Sequence, residues 1–163
     1  MSKIKAAVVT ISDTRKAVTD VSGDKLAELL TSAGGDIVER LLVSDDLTSL
    51  RETLYSLTER DDIDLIFTTG GTGLGPRDNT PEATKAVIDR EAPGIADAMR
   101  RETFGKTPMA MLSRGIAGTR NGTLIINLPG SPRGVVECFE VVRPILQHAI
   151  DQVMGETRHD KHP

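Results

Sequence analysis

The sequence predicts an α/β protein built on a mostly parallel sheet, and three observations carry that reading. Three short apolar runs alternate with segments whose apolar residues recur at helical spacing. Each run ends in a polar or glycine-rich turn. The pattern changes after Phe104, where an Asn-Gly pair separates two further strand-like runs.

The first run, Lys5 to Ile11, is too apolar to keep one face in water and reads as a buried strand ending at Ser12-Asp13-Thr14-Arg15. Leu26, Leu29, Leu30 and Ala33 mark the first helix, with Ser22 as its N-cap and Gly34-Gly35 as its stop. A second strand, Asp36 to Val43, ends in Ser44-Asp45-Asp46, and Leu47, Leu50, Leu54 and Leu57 define the next helix. The third strand, Asp64 to Thr69, runs into Gly70-Gly71-Thr72-Gly73-Leu74-Gly75-Pro76. Thr80 then caps a helix with Pro81 at its first position, predicted to reach about Arg90 before Ala92-Pro93-Gly94 breaks it. Ile95, Ala98 and Met99 lie on the helix that follows. Arg114 to Thr119 and Thr123 to Leu128 form a hairpin about Arg120-Asn121-Gly122. Pro129-Gly130-Ser131-Pro132 opens a last helix carrying Val135, Phe139, Val142 and Leu146. Pro144 should kink it, having no N–H for the carbonyl of Glu140. Successive strand–helix–strand crossovers are right-handed and set the strands parallel. Residues 1–155 are expected to form a single domain, and 156–163 a polar C-terminal tail.

Composition excludes several classes of function. With one Tyr, three Phe and no Trp there is no stacking platform for single-stranded nucleic acid. Against 24 Asp and Glu, the 20 Lys and Arg leave a net charge of -4, without the basic footprint of a duplex binder. No apolar run approaches a membrane span, and Met1-Ser2-Lys3 does not open a signal peptide. A single cysteine, Cys138, allows neither an intrachain disulfide nor a Cys-based zinc cage and suits a reducing cytoplasm. His148, His159 and His162 all fall near the C-terminus, so no Ser–His–Asp arrangement suggests itself.

Ligands of open parallel sheets collect beyond the carboxyl ends of the strands. Four polar turns are predicted there: Ser12-Asp13, Ser44 to Asp46, Gly70 to Asp78, and Pro129 to Pro132. The glycine loop lets backbone N–H groups approach an anion, with the positive end of the next helix nearby. Its other reading is a tight turn without a ligand. It is not a dinucleotide fingerprint, because Gly71-Thr72-Gly73-Leu74-Gly75-Pro76 lacks the G-x-G-x-x-G spacing. Nor is Gly105-Lys106-Thr107 a Walker A loop, because Arg100 stands where that motif needs glycine. Asp78 beside an anion cradle would repel a phosphate unless a cation intervened, and Mg²⁺ bound by one or two carboxylates plus phosphate fits. Alternatively, Asp78 is a turn or capping aspartate. Asp45 or Asp46 would give the second carboxylate. Asp46 suits a helix N-cap, leaving Asp45 the freer of the two.

At the glycine loop the sequence resembles a known family. Thr69-Gly70-Gly71-Thr72-Gly73 followed by Pro76-Arg77-Asp78-Asn79-Thr80-Pro81-Glu82-Ala83-Thr84 is similar to the molybdopterin-binding MoaB/Mog family. Further likeness runs through Thr10 to Thr14, Asp89-Arg90-Glu91, Pro93-Gly94, Met111 to Arg114, Ala117-Gly118, Leu124 to Pro132 and Glu137-Cys138, so it covers nearly the whole chain. The resemblance implies a three-layer, doubly wound α/β fold with helices on both faces and a small β-hairpin extension, assembled as a homotrimer. It implies Mg²⁺-dependent transfer of AMP from ATP to the terminal phosphate of molybdopterin, with release of pyrophosphate. A molybdenum-insertion protein would be a partner. The substrate phosphate is then the nucleophile, in keeping with the lack of a nucleophilic side chain. Carried over by motif, Asp78 and Asp45 are the catalytic and metal-binding residues. Gly70, Gly71, Thr72, Gly73, Ser12 and Asp13 would bind nucleotide phosphates. Ser113, Pro129, Gly130, Ser131 and Pro132 would bind the pterin or the nucleotide. Asn79 departs from the valine expected after Asp78, and Ser131 stands where some kin have asparagine. The alternative is a non-catalytic or weakly active MoaB-type molybdopterin-binding protein.

Overall fold

A computed structural model describes residues 3–13 and 19–155. Thr14, Arg15 and the 156–163 tail with His159 and His162 lie outside the described residues. In chain order the elements are β1 (Lys5–Ile11), α1 (Val21–Ser32), β2 (Asp36–Val43), α2 (Leu47–Thr58), β3 (Leu65–Thr69) and α3 (Thr80–Val87). They continue with β4 (Arg90–Glu91), α4 (Pro93–Phe104), β5 (Ala117–Arg120), β6 (Thr123–Leu128), α5 (Pro132–Val142) and α6 (Leu146–Val153). One six-stranded sheet runs β2-β1-β3-β6-β5-β4. β2, β1, β3 and β6 are parallel neighbours, whereas β5 pairs antiparallel with both β6 and β4.

The apolar strands are continuous runs because the sheet is covered on both faces. Successive side chains point to opposite sides. Ala6, Val8, Leu65, Phe67, Leu124 and Ile126 therefore pack with Leu26, Leu30, Met99, Phe139 and Ile150 from α1, α4, α5 and α6. Ala7, Val9, Ile66 and Ile125 face the other way, onto Leu50, Leu54, Ala83 and Val87 of α2 and α3. Phe67 and Phe139 meet with ring centroids 6.0 Å apart. No helix among the described residues is long and apolar enough to cross a membrane.

Four boundaries differ from expectation. The cap of α1 is Asp20, whose carboxylate accepts from the Gly23 N–H at 2.9 Å, while the Ser22 hydroxyl donates to the Gly130 carbonyl. Thr80 is not an N-cap, because its N–H and hydroxyl bond the Gly71 and Gly70 carbonyls; it is the first residue of α3. That helix stops at Val87, since Arg90 and Glu91 pair with Thr119 and Gly118 as an edge strand. The β5–β6 hairpin extends the main sheet, and its first strand starts at Ala117 instead of Arg114. The break at Pro144 occurs as expected, with a 3-10 turn over Arg143–Ile145 between α5 and α6.

Candidate active site

The four turns expected at the carboxyl edge of the sheet do meet there, and named hydrogen bonds join them. The Ser12 N–H donates to the Val43 carbonyl at 2.9 Å, and the Gly70 N–H to the Leu128 carbonyl at 3.2 Å. Asp13 accepts from the Asp45 N–H at 3.0 Å and pairs with Arg77, so one carboxylate ties three of the four turns. The Thr69 hydroxyl donates to the Pro129 carbonyl at 2.7 Å. Only glycine fits at position 70: its φ is +101°, and a Cβ would sit 2.6 Å from the Ile11 carbonyl oxygen.

The glycine loop turns its carbonyls inward. Thr80 takes those of Gly70 and Gly71; the Arg114 N–H takes that of Thr72 at 2.8 Å. The Arg114 guanidinium donates to the carbonyls of Gly73 at 2.8 Å and Asp78 at 2.7 Å, and it pairs with Glu82. Among the described residues nothing accepts from the N–H groups of Gly71, Thr72 or Gly73. Sequestering the negative ends of the peptide dipoles while leaving N–H groups available makes a concavity suited to an anion.

Asp78 stands at the exit of this loop, half-buried, with Oδ2 accepting from the Gly75 N–H at 2.8 Å. A Cβ at Gly73 or Gly75 would come within 2.9 or 2.8 Å of that oxygen, so the loop closes around the carboxylate. Asn79 donates to the Asp45 carbonyl at 2.9 Å and joins the two aspartate-bearing turns, a bond the expected valine could not make. Asp46 is the exposed N-cap of α2, and hydrogen bonds from Ser49 hold its carboxyl below the ordinary range. Asp45 is half-buried; burial and then the neighbouring Asp13 carboxylate push its pKa up, against the pull of Arg77. Among the described residues no group of three or more His, Cys, Asp or Glu is arranged to hold a metal. Two carboxylates of hard oxygen donors do fit Mg²⁺, which takes its remaining ligands from phosphate and water.

Ser113, Pro129 and Ser131 line a separate pocket of about 140 Å³ with Met99, Arg100, Asn127 and Cys138. Gly130 and Pro132 lie outside its lining: a Cβ on Gly130 would meet Gly70 Cα at 3.2 Å, and Pro132 is the first residue of α5. Ser131 also caps α5 through the Gly134 N–H. The expected residues thus fall into two groups, the loop with its aspartates and the pocket, joined by the Ser113-Arg114 segment and the Pro129 turn. Burial raises the Cys138 thiol to about 11, so it stays protonated and takes no part as a nucleophile. Arg100, which donates to the carbonyls of Ser113 and Gly115, and the 3-10 helix Pro108–Leu112 before them were not foreseen. The only sequence signal for that helix is Pro108 after a threonine, and Thr107 does cap it.

A family model described as "Probable molybdopterin binding domain" matches residues 7–148. The chain belongs to the molybdopterin-binding MoaB/Mog family. A molybdopterin adenylyltransferase of Helicobacter pylori is 37% identical over 159 residues, covering 95% of this chain and 90% of that protein. The molybdenum cofactor synthesis protein cinnamon of Drosophila melanogaster is 38% identical over 154 residues, but this chain spans only 26% of its length. Among solved structures, the molybdopterin biosynthesis enzyme MoaB of Thermus thermophilus superposes with a TM-score of 0.86 at 43% identity, covering 93% of this chain and 97% of that one. This MoaB/Mog chain accordingly shares its fold with a family whose members carry both the adenylyltransferase and the MoaB names.

Proposed function

We propose that this protein works in molybdenum cofactor biosynthesis as a molybdopterin adenylyltransferase, moving AMP from ATP to the terminal phosphate of molybdopterin. The observation that carries the reading is the loop of Gly70 to Gly73, carbonyls inward and the N–H groups of Gly71, Thr72 and Gly73 available, set directly against Asp78. Relatives named adenylyltransferase along most of this chain's length support it.

The reaction breaks the α–β phosphoanhydride bond of ATP, forms a new phosphoanhydride between the molybdopterin phosphate oxygen and the α-phosphorus, and releases pyrophosphate. No side chain needs to be the nucleophile. Catalysis reduces to holding two anions close and in line. Gly71, Thr72 and Gly73 bind phosphate oxygens. Gly70, whose N–H is held by the Leu128 carbonyl, sets the turn from which they project, and Ser12 and Asp13 shape the floor of that subsite. Ser113, Pro129, Ser131 and the adjoining Gly130 and Pro132 receive the pterin. Asp45 and Asp78 hold Mg²⁺, which when bound supplies charge neutralisation between the phosphates. A cytoplasmic location, a single domain over residues 1–155, a homotrimeric assembly and hand-over to a molybdenum-insertion protein complete the proposal.

The test is incubation with molybdopterin and Mg·ATP followed by mass analysis. The expected product is adenylylated molybdopterin. Asp78→Asn should lower turnover by about 100-fold or more, since an amide cannot replace an anionic ligand. It should keep the fold and pterin binding, because its amide oxygen can still accept from Gly75. Undiminished turnover in Asp78→Asn overturns the assigned role. Tight pterin binding without any adenylylated product makes the chain a MoaB-type binding protein instead.

A further inference from the structure

Resting on the adenylyl-transfer reading, we propose that Arg114 is the positioning residue that sets Asp78 and the glycine loop, and that it does so from the wall of the neighbouring pocket. Four bonds define the arrangement. The Arg114 N–H fixes Thr72, Nε fixes Gly73 and Nη2 fixes Asp78 through their carbonyls, at 2.7–2.8 Å, while Nη1 pairs with Glu82 on α3. Residue 114 thereby holds the loop on both sides of its exposed tip, Leu74 to Arg77. The planar guanidinium can do this because it presents donors along two edges at once; an ammonium group has no such fork.

The residue reaches the loop from across the fold. It is separated from Asp78 by 36 positions and follows Ser113, a lining residue of the pocket. On the other side, Arg100 donates to the carbonyls of Ser113 and Gly115 and holds the same segment against α4. The pocket wall and the phosphate loop are therefore one hydrogen-bonded unit. Arg114 touches no reacting atom in this reading. Its effect is on the placement of Asp78 and of the three available N–H groups, where about 1 Å of displacement can cost 100-fold in rate.

The experiment compares Arg114→Met, Arg114→Lys and Glu82→Gln with the unaltered protein. Arg114→Met should lower kcat by about 100-fold and leave the equilibrium dissociation constant for molybdopterin within about twofold. Arg114→Lys should recover about tenfold of that loss. Glu82→Gln, which leaves all three carbonyl bonds in place, should fold normally and lose about threefold. Amide hydrogen exchange gives a readout that does not need turnover: Gly75 and Asp78 N–H protection should fall about tenfold in Arg114→Met, with core strands unchanged. Wild-type kcat in both Arg114 variants, or pterin binding lost in step with kcat, overturns the proposal, as does unaltered exchange at Gly75 and Asp78. Should Arg114→Met not fold, Arg114→Lys and Glu82→Gln decide by the same measures. If the unaltered protein makes no product, the adenylyl-transfer reading fails, and the exchange experiment still decides whether Arg114 sets the loop.

Discussion

Asp20 is a carboxylate with only 5% of its surface exposed, and three neighbours explain how it is tolerated. It caps α1 through the Gly23 N–H, accepts from the Thr10 hydroxyl at 2.7 Å and lies 3.4 Å from Arg40. A buried anion needs such partners, and each partner needs the anion. Asp20→Ala should therefore destabilise the protein by about 2 kcal/mol or more, combining a lost cap with an orphaned hydroxyl. Asp20→Asn, whose amide oxygen still caps, should cost less than half as much in denaturant melts. Equal losses would show that charge, not capping, dominates. Ser22 looked like the cap because it stands next to the first apolar-periodic residues and has the right chemistry. What sequence cannot supply is the competitor 108 positions away: the Ser22 hydroxyl bonds Gly130, a contact that exists only after α1 has docked beside α5. Asp45 and Asp46 show the opposite case. Local capping preference separates them correctly, because Asp46 and Ser49 interact within one helical turn.

Among elements, those governed by local chemistry were legible and those defined by a distant partner were not. The β5–β6 turn is local. Asn121 and Gly122 have φ of +49° and +80°, the mirror-image turn whose twist suits a hairpin, and Asn121 adds a hydrogen bond to the Thr58 carbonyl at 2.9 Å. Gly122→Ala should cost about 1 kcal/mol, through left-handed strain alone, since no atom lies within 4 Å of the added Cβ. A melting temperature unchanged by the substitution would mean that the turn relaxes to another type. The end of α3 depends instead on a partner. Ile88 to Glu91 keep helix-compatible residues, yet the Asp89 N–H bonds the Thr119 carbonyl and Arg90 pairs with Thr119 across the sheet edge. Pairing with a strand outweighed propensity there. The site shows the same division. Its turns and aspartates were readable from strand ends and glycine spacing, whereas Arg114 and Arg100 act through backbone carbonyls far along the chain and leave no periodic trace.

For the whole molecule, the open question is what covers the outer side of α4 and α6. The apolar positions of α4 divide: Ala96 and Met99 are buried in the core, while Ile95 and Ala98 line a surface groove with Val141, Ile145 and Ala149. Ile145 keeps 41% of its surface exposed, just where the break at Pro144 lets the chain turn from α5 into α6. Covering one such side chain is worth about 1.5–3 kcal/mol, and a stable contact buries about 800 Å² per partner, so this groove would form its apolar centre and not its whole extent. The proposed homotrimer places a neighbouring copy there. Ile145→Glu would put an unpaired carboxylate at that centre without touching the core, which favours separation of the copies over unfolding. Sedimentation at micromolar concentration should give a trimer for the unaltered protein and a monomer for Ile145→Glu, with helix content unchanged by circular dichroism. A trimer that survives the substitution moves the interface to another face. A monomeric unaltered protein removes the trimer altogether, and the groove then needs a different partner or none.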